Sequence, residues 1–485
     1  IKADAANDRT GTLTINPGIF KLTAGSTLDA LVYNGEWTLM SVDGVVMKAR
    51  GTASSESVWD LGIYAINTND FQPTTDLYKA GTGWVGRVKV GSLNSETGTG
   101  ITTAGEINLA ANSILEVTSG AFTGKLSGTT NYAGVQPGGL EKVGTSEADL
   151  LSITNTGNLF FNSRGSVLGG VLYMDSLGAA GATDGSNTYI MGTSGAGGAV
   201  KGVFELSASG TWADSFKHTL DFRGGIFRKD GIGQIDLTGV TIDSYLGGTN
   251  TGTTEIWNGT LNLANTASMN IGNVSLSHGS DPTQAGHLLF TVTDVATTVT
   301  FDGSFSSGRA AILDPLPEGA TARYNEVRKV GAGTVVLAGT GSTRISHAIG
   351  EYGPDSGYYV DEGTLEIQTG SAIYGGTGAA GEPAADYVTI AASATLTLAG
   401  AIDYTFRNPL YAQAVSGKAL LVKDDANVVT LAGNLESFQQ AGRSEILAGT
   451  LVVDSSQSRY LGDKLTFKNP GSTPTLRLDA ADGTP

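Results

Sequence analysis

The chain contains no cysteine. A disulfide scaffold, a Cys-ligated zinc site and thiol catalysis are therefore excluded. Charge is also scarce, at 15% of 485 residues, and it is one-sided: 46 Asp and Glu against 29 Lys and Arg give a net charge of -17. Such a chain repels nucleic acid and anionic lipid. Its acidic groups serve solubility or hold divalent cations. No apolar run approaches the ~20 residues that a membrane-crossing helix needs. Helical patterning is almost absent. Disorder does not fit a chain that is 40% hydrophobic. Collagen does not fit either, because the 70 glycines show no three-residue period. The sequence starts at Ile1 without Met or a signal-like segment, which reads as a processed form or a fragment.

What the chain does have is alternation. Apolar residues alternate with small polar ones in short runs, as in Gly11-Thr12-Leu13-Thr14-Ile15, Glu106-Ile107-Asn108-Leu109 and Thr395-Leu396-Thr397-Leu398. This is the pattern of half-buried strands. Gly, Asn, Asp or Ser closes most runs, and these residues suit tight turns. Many short strands with regular turn signals describe a sandwich, a barrel or a solenoid.

Repeats choose among the three. Lys229-Asp230-Gly231-Ile232-Gly233-Gln234-Ile235-Asp236-Leu237 is followed by Asn258-Gly259-Thr260-Leu261-Asn262-Leu263. Lys329-Val330-Gly331-Ala332-Gly333-Thr334-Val335-Val336-Leu337 is followed by Glu362-Gly363-Thr364-Leu365-Glu366-Ile367. Lys423-Asp424-Asp425-Ala426-Asn427-Val428-Val429-Thr430-Leu431 is followed by Ala448-Gly449-Thr450-Leu451-Val452-Val453, with Asp425 and Asn427 in place of the two glycines. A fainter relative begins at Lys142-Val143-Gly144. The four lysines lie roughly 90–100 residues apart, longer than a usual single repeat. In each unit a Gly-rich turn precedes an alternating strand. Val335 and Leu337, or Ile235 and Leu237, point inward, and Val336 or Asp236 outward. One such layer cannot bury its own apolar face, so layers must stack.

The pattern Lys-x-Gly-x-Gly-x-x-x-Leu, then a gap, then Gly-Thr-Leu-x-Ile/Val, resembles the passenger-associated repeat of autotransporters. It covers about a quarter of the chain directly, and its texture covers most of 100–485. The resemblance implies an all-β, right-handed parallel β-helix, secreted from or displayed on the surface of a Gram-negative bacterium. The membrane β-barrel that normally ends such proteins has no counterpart in the sequence given, so the outer membrane enters only through a part absent from it.

The expected organisation is an N-terminal cap or small β domain over 1–95 and a solenoid over 96–485, about 80–100 Å long at the spacing of stacked strands. The first region holds Trp37, Trp59, Trp84, Tyr33, Tyr64, Tyr78, Phe20 and Phe71. These aromatics belong to a buried cap or to a ligand-binding face. The Gly-rich stretches 178–198 and 375–383 read as long excursions from the stack, where a solenoid carries specificity.

No motif carries catalysis. Gly192-Thr193-Ser194-Gly195 is similar to the serine segment of subtilisin-like proteases, but the Met and Pro that follow the serine there are absent. His278-Gly279 also falls on the wrong side of it. His218, His278, His287 and His347 have no metal-ligand spacing, and only His278 and His287 could converge, from solvated turns. Glycan-active β-helices need converging carboxylates. The candidates are Asp221 with Arg223, Asp236 with Asp243, and Asp403 with Arg407. For calcium, Gly375-Gly376-Thr377-Gly378 lacks the aspartate of the nonapeptide repeat, which leaves the pairs Asp361/Glu362 and Asp424/Asp425.

The reading is a non-catalytic structural or adhesive protein. It has no catalytic or cofactor-binding residue, and its metal ligands are unknown. Its partners are other copies of itself or a host or matrix glycan or protein. A self-assembling surface-layer or filament subunit is the alternative. A glycan-active enzyme is the third.

Overall fold

Short alternating segments in this chain form strands because every second side chain can enter a shared apolar interior while the others face out. The computed structural model describes strand segments at intervals from residue 19 to 128 and most of the chain from 139 to 479. Among the longer stretches outside the described residues are 155–163, 176–187, 193–200, 310–323 and 374–385. The protein is all-β, and its sheets are built by parallel pairing, as in a β-solenoid. Among the described residues one antiparallel hairpin interrupts the rule, Leu77–Ala80 against Gly83–Gly86.

Two compact units divide the chain. One comprises 1–208, 215–228 and 243–252, and the other 209–214, 229–242 and 253–485. In the first, a parallel sheet passes through Thr27–Asp29, Val46–Ala49, Gly83–Ser95, Ser113–Phe122, Gly139–Lys142, Arg164–Val167, Thr188–Met191 and Thr219–Phe222. A second runs through Leu150–Ile153, Gly170–Met174 and Gly202–Ser207. The long strand Ser113–Phe122 serves both: residues 114–117 pair with Gly139–Lys142 and residues 120–122 with 151–153. Parallel pairing thus runs through residue 95 without a break. The aromatic side chains of the first 95 residues lie outside the described residues.

The stretch 178–198, expected to be one long excursion, contains a core strand instead. Thr188–Met191 pairs on both sides, with Tyr189 and Met191 buried. Three residues, Tyr189-Ile190-Met191, are enough to return the chain to the stack between Gly-rich flanks. The stretch 375–383 lies outside the described residues.

In the second unit the chain visits sheets in rotation. One sheet stacks Gln234–Asp236, Gly259–Ala264, Gly286–Thr291, Glu326–Val330, Gly357–Val360, Tyr387–Ile390 and Leu410–Ala412. The next stacks Thr298–Phe301, Thr334–Leu337, Thr364–Ile367, Thr395–Leu398, Ala419–Lys423, Gly442–Ile446 and Leu465–Phe467. A third stacks Tyr404–Phe406, Val428–Leu431, Thr450–Asp454 and Thr475–Asp479.

Register places like residues over like. Val335 stands over Leu365 and then Leu396, and Leu337 over Ile367 and Leu398, all nearly or fully buried. Each such side chain adds about 1.5–3 kcal/mol of burial. Aromatic rings thread the interior: Phe290, Phe301, Phe305 and Tyr358 lie at centroid distances of 5.7, 4.9 and 5.8 Å in turn. Asp236 and Glu366 remain half-exposed on the outside, as alternation requires. Val336 does not. It is 5% exposed on the outer face, between Thr300 and Glu366 of the adjoining layers, because two neighbours flank so short a side chain.

Candidate functional site

The four repeat lysines are among the most deeply buried residues described. Lys142, Lys229 and Lys423 are 0% exposed and Lys329 is 1%. Each occupies the last inward position of its strand, two residues after Leu140, Phe227, Leu421 and Val327 respectively. In register beside Lys329 stand Phe290 and Val360, and beside Lys423 stand Leu398 and Ile446. The aliphatic stem therefore continues an apolar row, and the ammonium reaches past the strand end into the turn.

There it meets a ring of backbone carbonyls. Lys329 Nζ donates to Val330 O at 3.0 Å, Gly331 O at 2.6 Å and Glu362 O at 3.1 Å. Lys229 Nζ donates to Asp230 O at 2.9 Å, Gly231 O at 2.6 Å and Asn258 O at 2.7 Å. Three protons meet three acceptors, two from the lysine's own turn and one from the layer that follows. Lys423 adds the Asn427 side chain at 2.8 Å to the carbonyls of Asp424, Asp425 and Ala448. Lys142 donates to Val143 O and Gly169 O. The two halves of the sequence repeat are thus stacked neighbours: Thr334 lies beside Thr364, Gln234 beside Thr260, and Val428 beside Thr450. The glycine of Gly-Thr-Leu sits directly over the lysine turn. A Cβ on Gly363 would lie 2.4 Å from Gly333 O and 2.5 Å from Gly331 O.

Burial pulls the ammonium of Lys142, Lys229 and Lys329 down from 10.5 to about 8, partly opposed by Asp149, Asp230 and Glu362. Burial lowers Lys423 as well. Lys142, Lys229 and Lys329 remain charged at neutral pH. Between pH 8 and 10.5 the unfolded chain binds more protons at these three sites than the folded one, so their contribution to stability rises with pH through that window. Denaturant titrations of the wild type and Lys329→Met at several pH values should show the wild type gaining on the variant from pH 8 to 10.5. A gap that stays constant would contradict the shift.

A second cluster lies on the outer face of the same unit. Arg328 bonds Asp361 at 2.6 Å and Glu326 at 3.2 Å, and its guanidinium sits 4.3 Å from the centre of the Tyr359 ring. His287 Nδ1 lies 3.5 Å from Glu326. Burial opposes ionisation of Glu326, but His287 and Arg328 outweigh it and hold the carboxyl below its ordinary range. Register makes this cluster: His287 pairs with Glu326, and Arg328 with Tyr359. In the first unit, Arg228 is buried between Glu147 and Glu205, at 3.1 Å from each.

The candidates read from sequence are dispersed. Asp236 accepts from Gln234 at 2.7 Å and Asn262 at 3.0 Å. Asp403 accepts the Val428 amide at 2.7 Å. Asp221 is buried. Arg223, Ser194, His218, His347 and the side chain of Asp243 lie outside the described residues. His278 and His287 are both in strands, Asn273–Gly279 and Gly286–Thr291, of different sheets, rather than in turns. The acidic pairs are engaged locally. Asp361 holds Arg328, Glu362 accepts the Gly331 amide at 3.1 Å, Asp424 accepts the Asp425 amide at 2.8 Å, and Asp425 that of Gly400 at 2.8 Å. Among the described residues no group of three metal-ligating side chains converges.

The lysine ring was missed in the sequence because lysine is usually a surface residue. Its signal was parity: each lysine falls on the inward beat of its strand. Comparison of the chain with protein-family models and with curated proteins finds no match.

Proposed function

We propose that the chain is a non-catalytic extracellular structural or adhesive β-solenoid, a right-handed parallel β-helix displayed on or secreted from a bacterial outer surface. The supporting observation is the lysine turn. One apolar and hydrogen-bonded device is used four times to fasten a strand layer to the next, while the outward positions differ from copy to copy. A scaffold of this kind holds its geometry with interior residues and leaves the outer ones free for recognition of a glycan or protein. Negative-stain microscopy of the purified chain, with and without millimolar calcium, tests the reading. Isolated thin rods of about 100 Å are expected from the strand spacing. Compact globules would overturn it.

A second reading is self-assembly. It rests on the parallel stacking itself, in which each layer offers its strand edges to the next. Ordered filaments or sheets on the same grids would favour this reading.

A further inference from the structure

The lysine turns differ at one position that bears on covalent chemistry. The residue before the Gly-Thr-Leu glycine is Glu362 in one copy, Ala448 in another and Asn258 in a third. Asn258 precedes Gly259, and the Gly259 amide donates to Asn258 Oδ1 at 3.0 Å, which sets the backbone nitrogen against the side-chain amide. Gly259 has φ +70° and no room for a Cβ, which would lie 2.4 Å from Gly233 O. No side chain therefore shields that nitrogen. The carbonyl of the same peptide link, Asn258 O, receives the Lys229 ammonium at 2.7 Å.

We propose that Asn258 is a site of spontaneous covalent modification, in which the Gly259 nitrogen closes on the Asn258 side-chain amide to form a succinimide that water then opens to aspartate or isoaspartate. The step begins with loss of the Gly259 amide proton to water or hydroxide. The negative charge spreads onto Asn258 O, where the ammonium of Lys229 already waits as a fixed donor, and preorganised donors act most strongly where charge develops. The nitrogen forms a bond to Cγ. The bond from Cγ to Nδ2 breaks, and ammonia leaves with a proton from solvent. Water adds across either carbonyl of the ring to give a carboxylate. Asn258 is half-exposed, so water has access. The aspartate product has a precedent in the fold: Glu362 stands at the equivalent position, its carboxylate accepting the Gly331 amide and its carbonyl still bound by Lys329.

This inference is independent of the proposed function. The test is incubation of the folded chain at neutral pH, where the Lys229 ammonium keeps its charge, followed by peptide mapping with mass spectrometry and enzymatic detection of isoaspartate. A synthetic peptide spanning 253–264 is treated in parallel. Mapping also separates Asn258 from the chain's other Asn-Gly pair, Asn34-Gly35. Asn258 in the folded chain is expected to convert about tenfold faster than in the peptide, the effect of one charge-assisted hydrogen bond on the developing anion. Conversion at the same rate or more slowly than in the peptide would overturn the proposal. The comparison uses the wild-type chain, so it does not depend on a variant that folds.

Discussion

Lys329→Met is expected to destabilise the second unit by roughly 3–5 kcal/mol, although methionine preserves most of the stem and its apolar contacts. The loss comes from the oxygens left behind. Val330, Gly331 and Glu362 each offer a carbonyl to the ammonium. Without it, three part-buried acceptors lose their donor, and an unsatisfied group costs up to about 1–3 kcal/mol. The turn can relax and admit water, which keeps the total below the sum. The effect is local at first, so amide hydrogen exchange is the sharper readout: protection should fall in 330–337 and 364–367 before it falls elsewhere. Lys201, an exposed lysine, supplies the control, and its replacement by methionine should change stability by less than about 0.5 kcal/mol. Equal effects of the two substitutions would remove the carbonyl ring from the account of the fold.

Gly363→Ala should be comparably damaging, for a different reason. Gly363 has φ +64°, a left-handed conformation that costs an L-residue about 1–2 kcal/mol. Its Cβ would also press on two backbone oxygens of the lysine turn at 2.4 and 2.5 Å, and neither can swing away without breaking the ring around Lys329. Conformational strain and overpacking together bring the expected loss to roughly 3 kcal/mol or more. Gly341 separates the two terms. It has φ +80° but open space around its hypothetical Cβ, so Gly341→Ala should show the conformational part alone, about 1 kcal/mol. Thermal or urea unfolding of the two variants measures the difference. If both lost the same amount, close packing over the lysine turn would not be what selects glycine there. Asp425 shows that the left-handed position within the lysine turn itself accepts another residue. It adopts φ 64° where the other copies have Gly231 and Gly331, and its carboxylate accepts the Gly400 amide.

Much of this architecture was legible in the sequence, because strand alternation and glycine turns are local signals. Thr364-Leu365-Glu366-Ile367 announces its inward and outward residues by period two, and the structure buries Leu365 and Ile367 accordingly. The pairing of the lysine half of the repeat with its Gly-Thr-Leu half was not legible, since the two are separated by a segment of variable length. Lys229, Lys329 and Lys423 carry a polar name on an apolar beat, and composition assigns them to the surface. The cluster of His287, Glu326, Arg328, Tyr359 and Asp361 is invisible for another reason. Its members come from three strand layers, and only register brings them together. Thr188–Met191 was hidden by its glycine-rich surroundings, where three favourable residues counted for less than the flanks.

The lysine turns also give the stack a direction. The ammonium groups of Lys229, Lys329 and Lys423 each take two carbonyls from their own turn, which are in place as soon as that turn closes. A further carbonyl belongs to the layer that comes later in the chain, as it does for Lys142. A layer laid down from the N-terminal side is therefore held incompletely until its successor arrives, and the arrival of the successor tightens the layer beneath it. Layers growing in chain order behave as a ratchet, in which each addition makes the previous one harder to reverse. Fraying from the C-terminal side must first surrender that further bond before the turn below can open.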